Sequence, residues 1–256
     1  MKEYKAKIIS RRKYGSYHIF RLALDTALNQ AKPGNFVLLS TGKSDQILRR
    51  PMAIYSISES EHWIEILFTV AGKGTFHLSQ IEPDTCLSVF GPLGNAFDPP
   101  KKSSSLAIVA GGIGIAPFLY WLTSYATELT NVKTFFGFQN LEQSHVLADF
   151  EGLSADIQHA TDDGSSGFSG NVVECFEAHL KKHPFDHVYT CGPPAMMDAV
   201  QSLCKSKKIS LSASLEARMA CGMGVCLSCV TDFEHDQKTQ GYSLVCKQGP
   251  IFHQSF

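Results

Sequence analysis

Four cysteines near the end of the chain constrain the fold more than any other feature of the sequence. Cys221, Cys226 and Cys229 lie on one short stretch and Cys246 follows, which gives the spacing C-x4-C-x2-C-x16-C. Three close thiols on one loop, joined by a fourth from a later segment, can enclose an iron–sulfur cluster. This spacing is typical of plant-type 2Fe–2S sites.

Small residues between the cysteines favour a tightly wrapped loop. Gly222 and Gly224 allow backbone angles that other residues reach only with strain. Such a loop turns its N–H groups toward the sulfur atoms, where they tune the reduction potential of a cluster.

Two alternatives to an iron–sulfur cluster stay open. Four thiols can hold structural zinc, although zinc ribbons favour two C-x2-C pairs and this stretch has one. In a secreted protein they could form two disulfides.

Length and charge narrow the class of protein. The 256 residues suffice for two small domains and an appendage. A formal net charge of −1 does not indicate binding to nucleic acid or to an anionic membrane. The sequence shows neither an apolar run long enough to span a membrane nor the apolar core of a secretory signal. We therefore expect a cytoplasmic protein with eight reduced cysteines, four of them metal ligands.

The first hundred residues predict β-structure. Short apolar runs are separated by glycine or proline, and one of them alternates between apolar and polar residues as a half-buried strand does. These runs lie at 4–9, 18–24, 36–41, 63–70 and 87–90. Many short strands at this spacing indicate a small antiparallel β-barrel, which we assign to residues 1–99.

The pattern then changes to alternating strands and helices. A linker rich in proline and serine occupies residues 98–105. Strands are predicted at 106–110, 132–138, 156–161, 188–191 and 209–215, and helices at 117–129, at 172–180 and around 196–204. Such alternation indicates a parallel sheet with helices on both faces. We assign this α/β domain to residues 100–211 and the cysteine segment to residues 212–256, so the predicted fold class is mixed.

A glycine-rich turn joins the first strand of this domain to its first helix. Gly111, Gly112 and Gly114 allow a tight turn and a close approach of the backbone to a pyrophosphate, and Pro117 suits the first helical turn. The helix N-terminus would then face the negative charge. Taken alone, the motif is equally compatible with a plain tight turn, because it lacks the acidic residue that a dinucleotide fold places about 20 positions later.

A second loop follows the strand at 188–191. Cys191, Gly192 and Pro193 end this strand at the sheet edge where open α/β sheets bind ligands. Cys191 could equally be a buried thiol without a role in binding. No lysine or arginine occurs between Thr134 and Leu180, and the 2′-phosphate of NADP needs such a partner. The expected nucleotide is therefore NAD(H).

Several separated motifs resemble one family, the ferredoxin–NADP reductase-like proteins. The stretch 49–54 (Arg-Arg-Pro-Met-Ala-Ile) is similar to their flavin motif, and the stretch 72–75 (Gly-Lys-Gly-Thr) is similar to their flavin pyrophosphate loop. The motifs at 91–94, 111–117 and 191–193 follow in the family's order. The cysteine stretch 215–229, with Cys246 and residues 249–252, resembles one branch, the electron-transfer subunits of dihydroorotate dehydrogenase B.

The resemblance implies three bound groups: FAD in the barrel, NAD(H) on the α/β domain and a 2Fe–2S cluster in the cysteine segment. It implies that Arg50 pairs with a flavin phosphate and that a glycine loop holds the second phosphate. The implied flavin contacts are Arg50, Pro51, Met52, Ala53, Ile54, Gly72, Lys73, Gly74 and Thr75. One residue departs from the family pattern, since Ala53 stands where serine or threonine is usual. A hydroxyl contact near the flavin is therefore lost.

The resemblance also implies a function. A separate FMN-containing dihydroorotate dehydrogenase subunit would oxidise dihydroorotate to orotate in pyrimidine biosynthesis, and this chain would pass the electrons through the cluster and FAD to NAD⁺. A heterotetramer is the implied assembly, and no catalytic acid, base or nucleophile is needed in this chain. One alternative is a reductase subunit that feeds NAD(P)H electrons to ferredoxin, sulfite, sulfide or a hydrogenase. An alternative of another class is a zinc-stabilised, non-catalytic redox-sensing module.

Overall fold

A closed barrel and a seven-stranded sheet organise the protein, which is described here by a computed structural model covering residues 1–43, 46–101, 104–125, 131–153, 155–236 and 241–256. The barrel strands are β1 (Lys2–Tyr14), β2 (Tyr17–Leu24), β3 (Phe36–Leu39), β4 (Arg50–Ser58), β5 (Trp63–Thr69) and β6 (Cys86–Leu93). Helix α1 (Lys73–Gln80) connects β5 to β6. The strand order is β1-β2-β5-β4-β3-β6 and all neighbours are antiparallel, so the predicted barrel is confirmed.

Alternating side chains fill the barrel. Ala6 and Ile8 on β1, Phe20 on β2, and Ile64 and Ile66 on β5 are fully buried. Because side chains of a strand alternate between its two faces, every second residue reaches the interior. This period of two is the signal from which the sequence predicted strands here.

The second part of the chain forms the α/β domain. Its strands and helices are β7 (Leu106–Gly111), α2 (Ala116–Tyr125), β8 (Val132–Phe138), α3 (Leu141–Ser144), β9 (Asp156–Thr161), β10 (Phe168–Ser169), α4 (Val172–Leu180), β11 (His187–Cys191), α5 (Pro194–Lys207) and β12 (Ser210–Ser214). Short 3₁₀ turns lie at Gly112–Ile115 and His145–Phe150. The last strands are β13 (Val230–Thr231), β14 (Ser243–Leu244) and β15 (Ile251–Gln254).

Six strands of the seven-stranded sheet are parallel, and the last one is not. The order is β10-β9-β8-β7-β11-β12-β15, and β15 pairs antiparallel with β12. The chain therefore returns after the cysteine segment to close the edge of the sheet. The predicted parallel α/β sheet is confirmed, and an antiparallel edge strand is added to it. Strands β13 and β14 form a separate two-stranded ladder beside the cysteines.

Two elements of the barrel domain were not predicted from the sequence as a strand or a helix. Strand β4 begins at Arg50 and helix α1 begins at Lys73, inside stretches that were interpreted only as cofactor motifs. In α1, glycine and β-branched threonine weaken the local helix signal. The predicted helix 117–129 corresponds to α2, and residues 126–130 lie outside the described residues.

The barrel and the α/β domain share one apolar core. Tyr55 of the barrel is buried in the same cluster as Phe118 and Trp121 of α2. At the edge of this core, Arg12 of β1 forms an ion pair with Asp149 of the second 3₁₀ turn. Within the described residues, no helix is long and apolar enough to cross a membrane.

Candidate functional site

The four thiols predicted as metal ligands lie in two pairs. The backbone N–H of Cys226 donates to Sγ of Cys221 over 3.4 Å. The backbone N–H of Cys246 donates to Sγ of Cys229, also over 3.4 Å. Cys229 and Cys246 are buried, while Cys221 is half-buried and Cys226 is exposed. One pair therefore lies deep in the protein, and the other lies near the surface.

The arrangement of the thiols in two pairs indicates what kind of metal centre they can bind. In the part of the chain that the structure describes, no three or more His, Cys, Asp or Glu side chains lie close enough together to hold a single ion. All eight cysteines are free thiols. A cluster with two irons and four thiolate ligands fits two pairs of thiols.

Backbone N–H groups of the loop point at the sulfur atoms. Those of Met223 and Val225 donate to Sγ of Cys221 over 3.4 Å, and that of Gly224 donates to Sγ of Cys246 over 3.2 Å. Gly222 and Gly224 adopt φ angles of +69° and +82°, a region that favours glycine. Such N–H donors stabilise the thiolate charge that metal ligation requires.

The environment also distinguishes Cys226 from Cys246 electrostatically. The Ser228 hydroxyl, 3.2 Å from Sγ of Cys226, lowers the pKa of Cys226 to about 6, with help from backbone N–H groups. Burial raises the pKa of Cys246 to about 12. The Cys226 thiol is therefore more acidic than the Cys246 thiol, and a bound cation would favour the thiolate form of Cys246.

The cysteine loop lies directly on the barrel wall. A Cβ on Gly222 would come within 2.7 Å of Cδ1 of Leu38 and 3.1 Å of Cδ1 of Leu93. Leu38 on β3 is the ladder partner of Pro51 on β4. Cys229 and Cys246 belong to the same apolar cluster as these two leucines. The predicted cluster loop is therefore one strand away from the predicted flavin strand.

The predicted flavin phosphate contacts come together at the N-terminus of α1. Arg50 lies across this terminus, and a Cβ on Gly74 would overlap its guanidinium group. Thr75 Oγ1 accepts the N–H of Ala71 over 2.8 Å and that of Gly72 over 3.1 Å. A guanidinium beside the positive end of a helix forms a cradle for a diphosphate. These residues fit the phosphates of a dinucleotide such as FAD.

The other predicted flavin contacts separate onto the two faces of β4. Met52 and Ile54 are buried in the barrel interior. Pro51 and Ala53 are half-buried on the outer face, where Ala53 pairs with Phe36 of β3. Neighbouring residues of a strand point in opposite directions, so Pro51 and Ala53 lie on the outer face, where Ala53 packs against the core shared with the α/β domain. Met52 and Ile54 contribute backbone there.

The two nucleotide loops touch each other at the carboxyl edge of the sheet. A Cβ on Gly192 would lie 2.9 Å from the backbone nitrogen of Gly111, and a Cβ on Gly114 would overlap the carbonyl of Cys191. Glycine is therefore needed at these positions for the loops to approach. Pro117 is buried in the first turn of α2. Cys191 is buried, and burial raises the pKa of its thiol.

These loops form one side of a cleft of about 610 Å³. The first side is built from Gly111, Gly112, Gly192 and Pro193, and the facing side includes Glu216, Phe233 and Glu234 of the cysteine segment. A cleft of this size can hold the nicotinamide half of a dinucleotide. The structure thus brings the predicted nucleotide loops and the cysteine segment to one place.

The residues on the facing side of this cleft were not predicted from the sequence as part of a binding site. Glu216 lies five residues before Cys221, and no motif in the sequence marks it as a cleft residue. Its side chain is open to solvent in the cleft, yet the surrounding protein raises the pKa of its carboxyl group. Phe233 and Glu234 follow the short strand β13 and carry no recognisable spacing. Only the tertiary fold could have identified these residues.

Comparison with known proteins gives the family. Residues 216–255 match the iron–sulfur cluster binding domain of dihydroorotate dehydrogenase B, and residues 108–202 match the oxidoreductase NAD-binding domain. The chain is 35% identical to the dihydroorotate dehydrogenase B (NAD(+)) electron transfer subunit of Desulforamulus reducens over 87% of this chain and 85% of the relative. The chain belongs to the family of dihydroorotate dehydrogenase B electron transfer subunits.

Other members of this family show similar identity over a similar share of the chain. The electron transfer subunit of Caldanaerobacter subterraneus subsp. tengcongensis is 32% identical over 97% of this chain and 95% of its own length. That of Enterococcus faecalis is 36% identical, with coverages of 93% and 91%. The resemblance stated from the motifs is therefore confirmed. The chain is an electron-transfer subunit by family, and its matched iron–sulfur region contains all four paired thiols.

Solved structures agree with the fold. The chain superposes on a structure of the NADH-dependent reduced ferredoxin–NADP oxidoreductase, described in work on flavin-based electron bifurcation, with a TM-score of 0.85 and 24% identity. The match covers 97% of this chain and 87% of that one. A ferredoxin NADP⁺ reductase from Neisseria gonorrhoeae matches with a TM-score of 0.66 and 18% identity, over 80% and 92% of the two chains. At these identities the likeness concerns the fold alone.

Proposed function

We propose that this chain carries electrons between an FMN-containing dihydroorotate dehydrogenase subunit and NAD⁺, as the electron transfer subunit of a dihydroorotate dehydrogenase B in pyrimidine biosynthesis. Residues 1–99 would hold FAD, residues 100–211 would bind NAD(H), and residues 212–256 would hold a 2Fe–2S cluster. Reduced thiols and the use of NAD(H) fit a cytoplasmic location, which we include in the proposal.

The position of the cysteine segment carries this proposal. On one side, Gly222 touches the barrel wall next to the flavin strand β4. On another side, Glu216 and Phe233 of the same segment line the cleft below the nucleotide loops. The proposed cluster, flavin and nucleotide sites would therefore adjoin within one chain. Such adjacency is what a path for electrons between three bound groups requires.

Each site contributes binding and orientation, not acid–base chemistry. When bound, FAD would exchange a hydride with the nicotinamide and single electrons with the cluster. Arg50 and the N-terminus of α1 would hold the flavin diphosphate, and the outer face of β4 would support the ring. The loops at Gly111–Gly114 and at Cys191–Pro193 would hold the dinucleotide at the sheet edge. The loop N–H groups would hold the charge of the cysteine ligands.

The surface around the outer thiols suits a protein partner. Met223, Val225 and Leu227 are 46%, 77% and 52% exposed, although all three are apolar. Apolar side chains clustered in this way mark interaction surfaces. They surround Cys221 and Cys226, the pair closest to solvent. We propose that the catalytic subunit covers this surface and that two copies of each subunit form a heterotetramer.

The experiment compares Cys226→Ala with Cys86→Ala in the anaerobically purified subunit. Cys86 is an exposed thiol on β6 outside the four paired cysteines. We expect Cys226→Ala to lose iron, acid-labile sulfide and electron delivery to the catalytic partner, while FAD and NADH–dye reduction persist. Cys86→Ala should keep all of these properties. Equal loss of dye and partner activities in a folded Cys226→Ala protein that retains FAD would contradict the proposed order of transfer.

The same preparations distinguish the alternatives. A colourless parent protein that contains zinc and lacks iron would instead support a zinc-stabilised module. A parent protein that holds FAD and iron, yet reduces ferredoxin and ignores the dihydroorotate dehydrogenase subunit, would support the ferredoxin-reductase alternative. Co-purification at native abundance, with identification of the attached protein, would decide between the two partners.

A further inference from the structure

Asn95 ties the end of the barrel to the segment that follows Cys246. Its backbone N–H donates to the carbonyl of Gly249 over 2.7 Å. Its side-chain Nδ2 donates to the carbonyls of Gln248 and Ile251 over 2.9 and 2.7 Å. Its Oδ1 accepts the N–H of Ile251 over 2.9 Å. One residue thus makes four hydrogen bonds to a single four-residue stretch.

Asn35 joins the same point to the flavin strand. It is 7% exposed, and its Nδ2 donates to the carbonyls of Gly94 and Asn95 over 3.0 and 2.9 Å. Its own carbonyl accepts the N–H of Ile54 on β4 over 3.3 Å. Its Oδ1 accepts the N–H of Lys32 over 2.8 Å, which fixes the amide orientation. The polar groups of this buried side chain are therefore satisfied within the barrel.

Gln248 completes the connection toward the cysteines. Its N–H donates to the carbonyl of Leu244, and its Oε1 accepts the N–H of Leu244, both over 2.9 Å. Cys246 lies in the turn that these two bonds close. An unbroken series of direct hydrogen bonds therefore runs from β4 through Asn35, Asn95 and Gln248 to the turn that carries a cluster ligand.

The remaining contacts between the barrel and the cysteine segment are largely apolar. Phe36, Leu38 and Leu93 of the barrel pack against Leu244 and Phe252. Apolar packing stabilises the contact but is not directional, so it sets separation and orientation less strictly than hydrogen bonds do. The asparagines supply the directional part of this contact. Close packing reinforces it, since a Cβ on Gly94 would come within 2.5 Å of Cδ of Pro250.

We propose that Asn35 and Asn95 are positioning residues that fix the Cys246 segment relative to the flavin strand β4, and so fix the geometry for electron transfer between the two sites. This inference rests on the proposed function. Neither residue needs to touch a bound group, because each acts through the backbone it holds. Function of this kind depends on a site held to within a fraction of an ångström by its supporting residues.

The test uses the complete subunit with its flavin and cluster, in the variants Asn95→Ala and Asn95→Asp. The first variant removes the side-chain bonds, and the second keeps the size but points an anion at two carbonyl groups. Asn171→Ala is the matched control. Asn171 caps helix α4, where its Oδ1 accepts the N–H of Glu174 over 3.0 Å, so this variant also removes an asparagine side-chain hydrogen bond. FAD and iron contents are measured first in every protein.

Two measurements follow. Hydrogen–deuterium exchange of the amides at 244–251 should accelerate in both Asn95 variants and stay unchanged in the control. In anaerobic stopped-flow experiments, NADH should reduce the flavin at the parent rate, while the following reduction of the cluster slows several-fold, because the two sites are no longer held in one geometry. Unchanged exchange and unchanged cluster reduction would overturn the proposal, and so would equal slowing of both steps.

A parent protein without iron would refute the proposed function instead. The exchange comparison would still decide whether Asn95 anchors the segment.

Discussion

Gly222 of the cysteine loop lies against Leu38 of the barrel so closely that a Cβ on Gly222 would come within 2.7 Å of Cδ1 of Leu38. Leu38 is 1% exposed, so its side chain is enclosed by the protein. The φ angle of Gly222 is +69°, in the left-handed region. Both the contact and the backbone angle therefore require glycine here.

The first prediction concerns this contact. Gly222→Ala should lower the free energy of unfolding by about 2–5 kcal/mol, because the left-handed backbone penalty and overpacking against Leu38 add together. The iron content should fall as well. Gly152→Ala is the control, since Gly152 has a φ of +78° but open space around it, and it should show only the backbone penalty. Urea unfolding and iron analysis measure both effects, and equal losses in the two variants would contradict the assigned contact.

The second prediction compares adjacent arginines at the start of β4. Arg50→Ala should weaken FAD binding by about 1.5–3 kcal/mol, the contribution of a hydrogen bond to a charged group. Arg49→Ala should bind FAD as the parent does, because Arg49 forms its ion pair with Glu3 at 2.6 Å. Titration of the apoprotein with FAD gives both dissociation constants. Equal weakening in the two variants would show that Arg50 has no special role.

The third prediction tests the contact between the nucleotide loops. Gly114→Ala should push the first loop away from the carbonyl of Cys191, because backbone atoms on both sides cannot easily move aside. We expect a higher dissociation constant for NADH with unchanged FAD and iron contents. Fluorescence titration of the NADH complex measures the change. Parent-like NADH affinity in a folded variant would argue against nucleotide binding at this edge.

The fourth prediction concerns pH and His187. Burial lowers the pKa of His187 to about 4, and its Nε2 lies 2.7 Å from Oγ of Ser212. In the unfolded chain histidine titrates near 6.5, so between about pH 6.5 and pH 4 the unfolded state binds a proton that the native state does not. The free energy of unfolding therefore decreases as the pH falls through this range. His187→Gln should flatten the fall of Tm between pH 7 and pH 4.5.

The control for this prediction is His145→Gln, because the His145 side chain is exposed. Its Tm profile should follow that of the parent across the same range. A parent-like slope in His187→Gln would show that other groups dominate the loss of stability on acidification.

Features that depend on neighbouring residues could be predicted from the sequence, whereas features that join distant residues could not. The barrel strands other than β4, the alternation of the α/β domain and the glycine turn before α2 followed from periodicity and spacing. Strand β15 could not be predicted as part of the α/β sheet, because its partner β12 lies beyond the cysteine loop. The site-residue assignments stay predictions, and the structure refines them by showing that Met52 and Ile54 point into the barrel core.

The number and spacing of the thiols, the family and the order of the three modules could be inferred before any fold was known, because these are properties of the covalent chain. The fold was needed to show that Gly74 lies beneath Arg50, that Cys229 pairs with Cys246, and that Asn95 holds the segment after Cys246. Each of these relationships joins residues that are separated along the chain. Their contacts arise from packing and directional hydrogen bonds that form only when the barrel, the sheet and the tail come together.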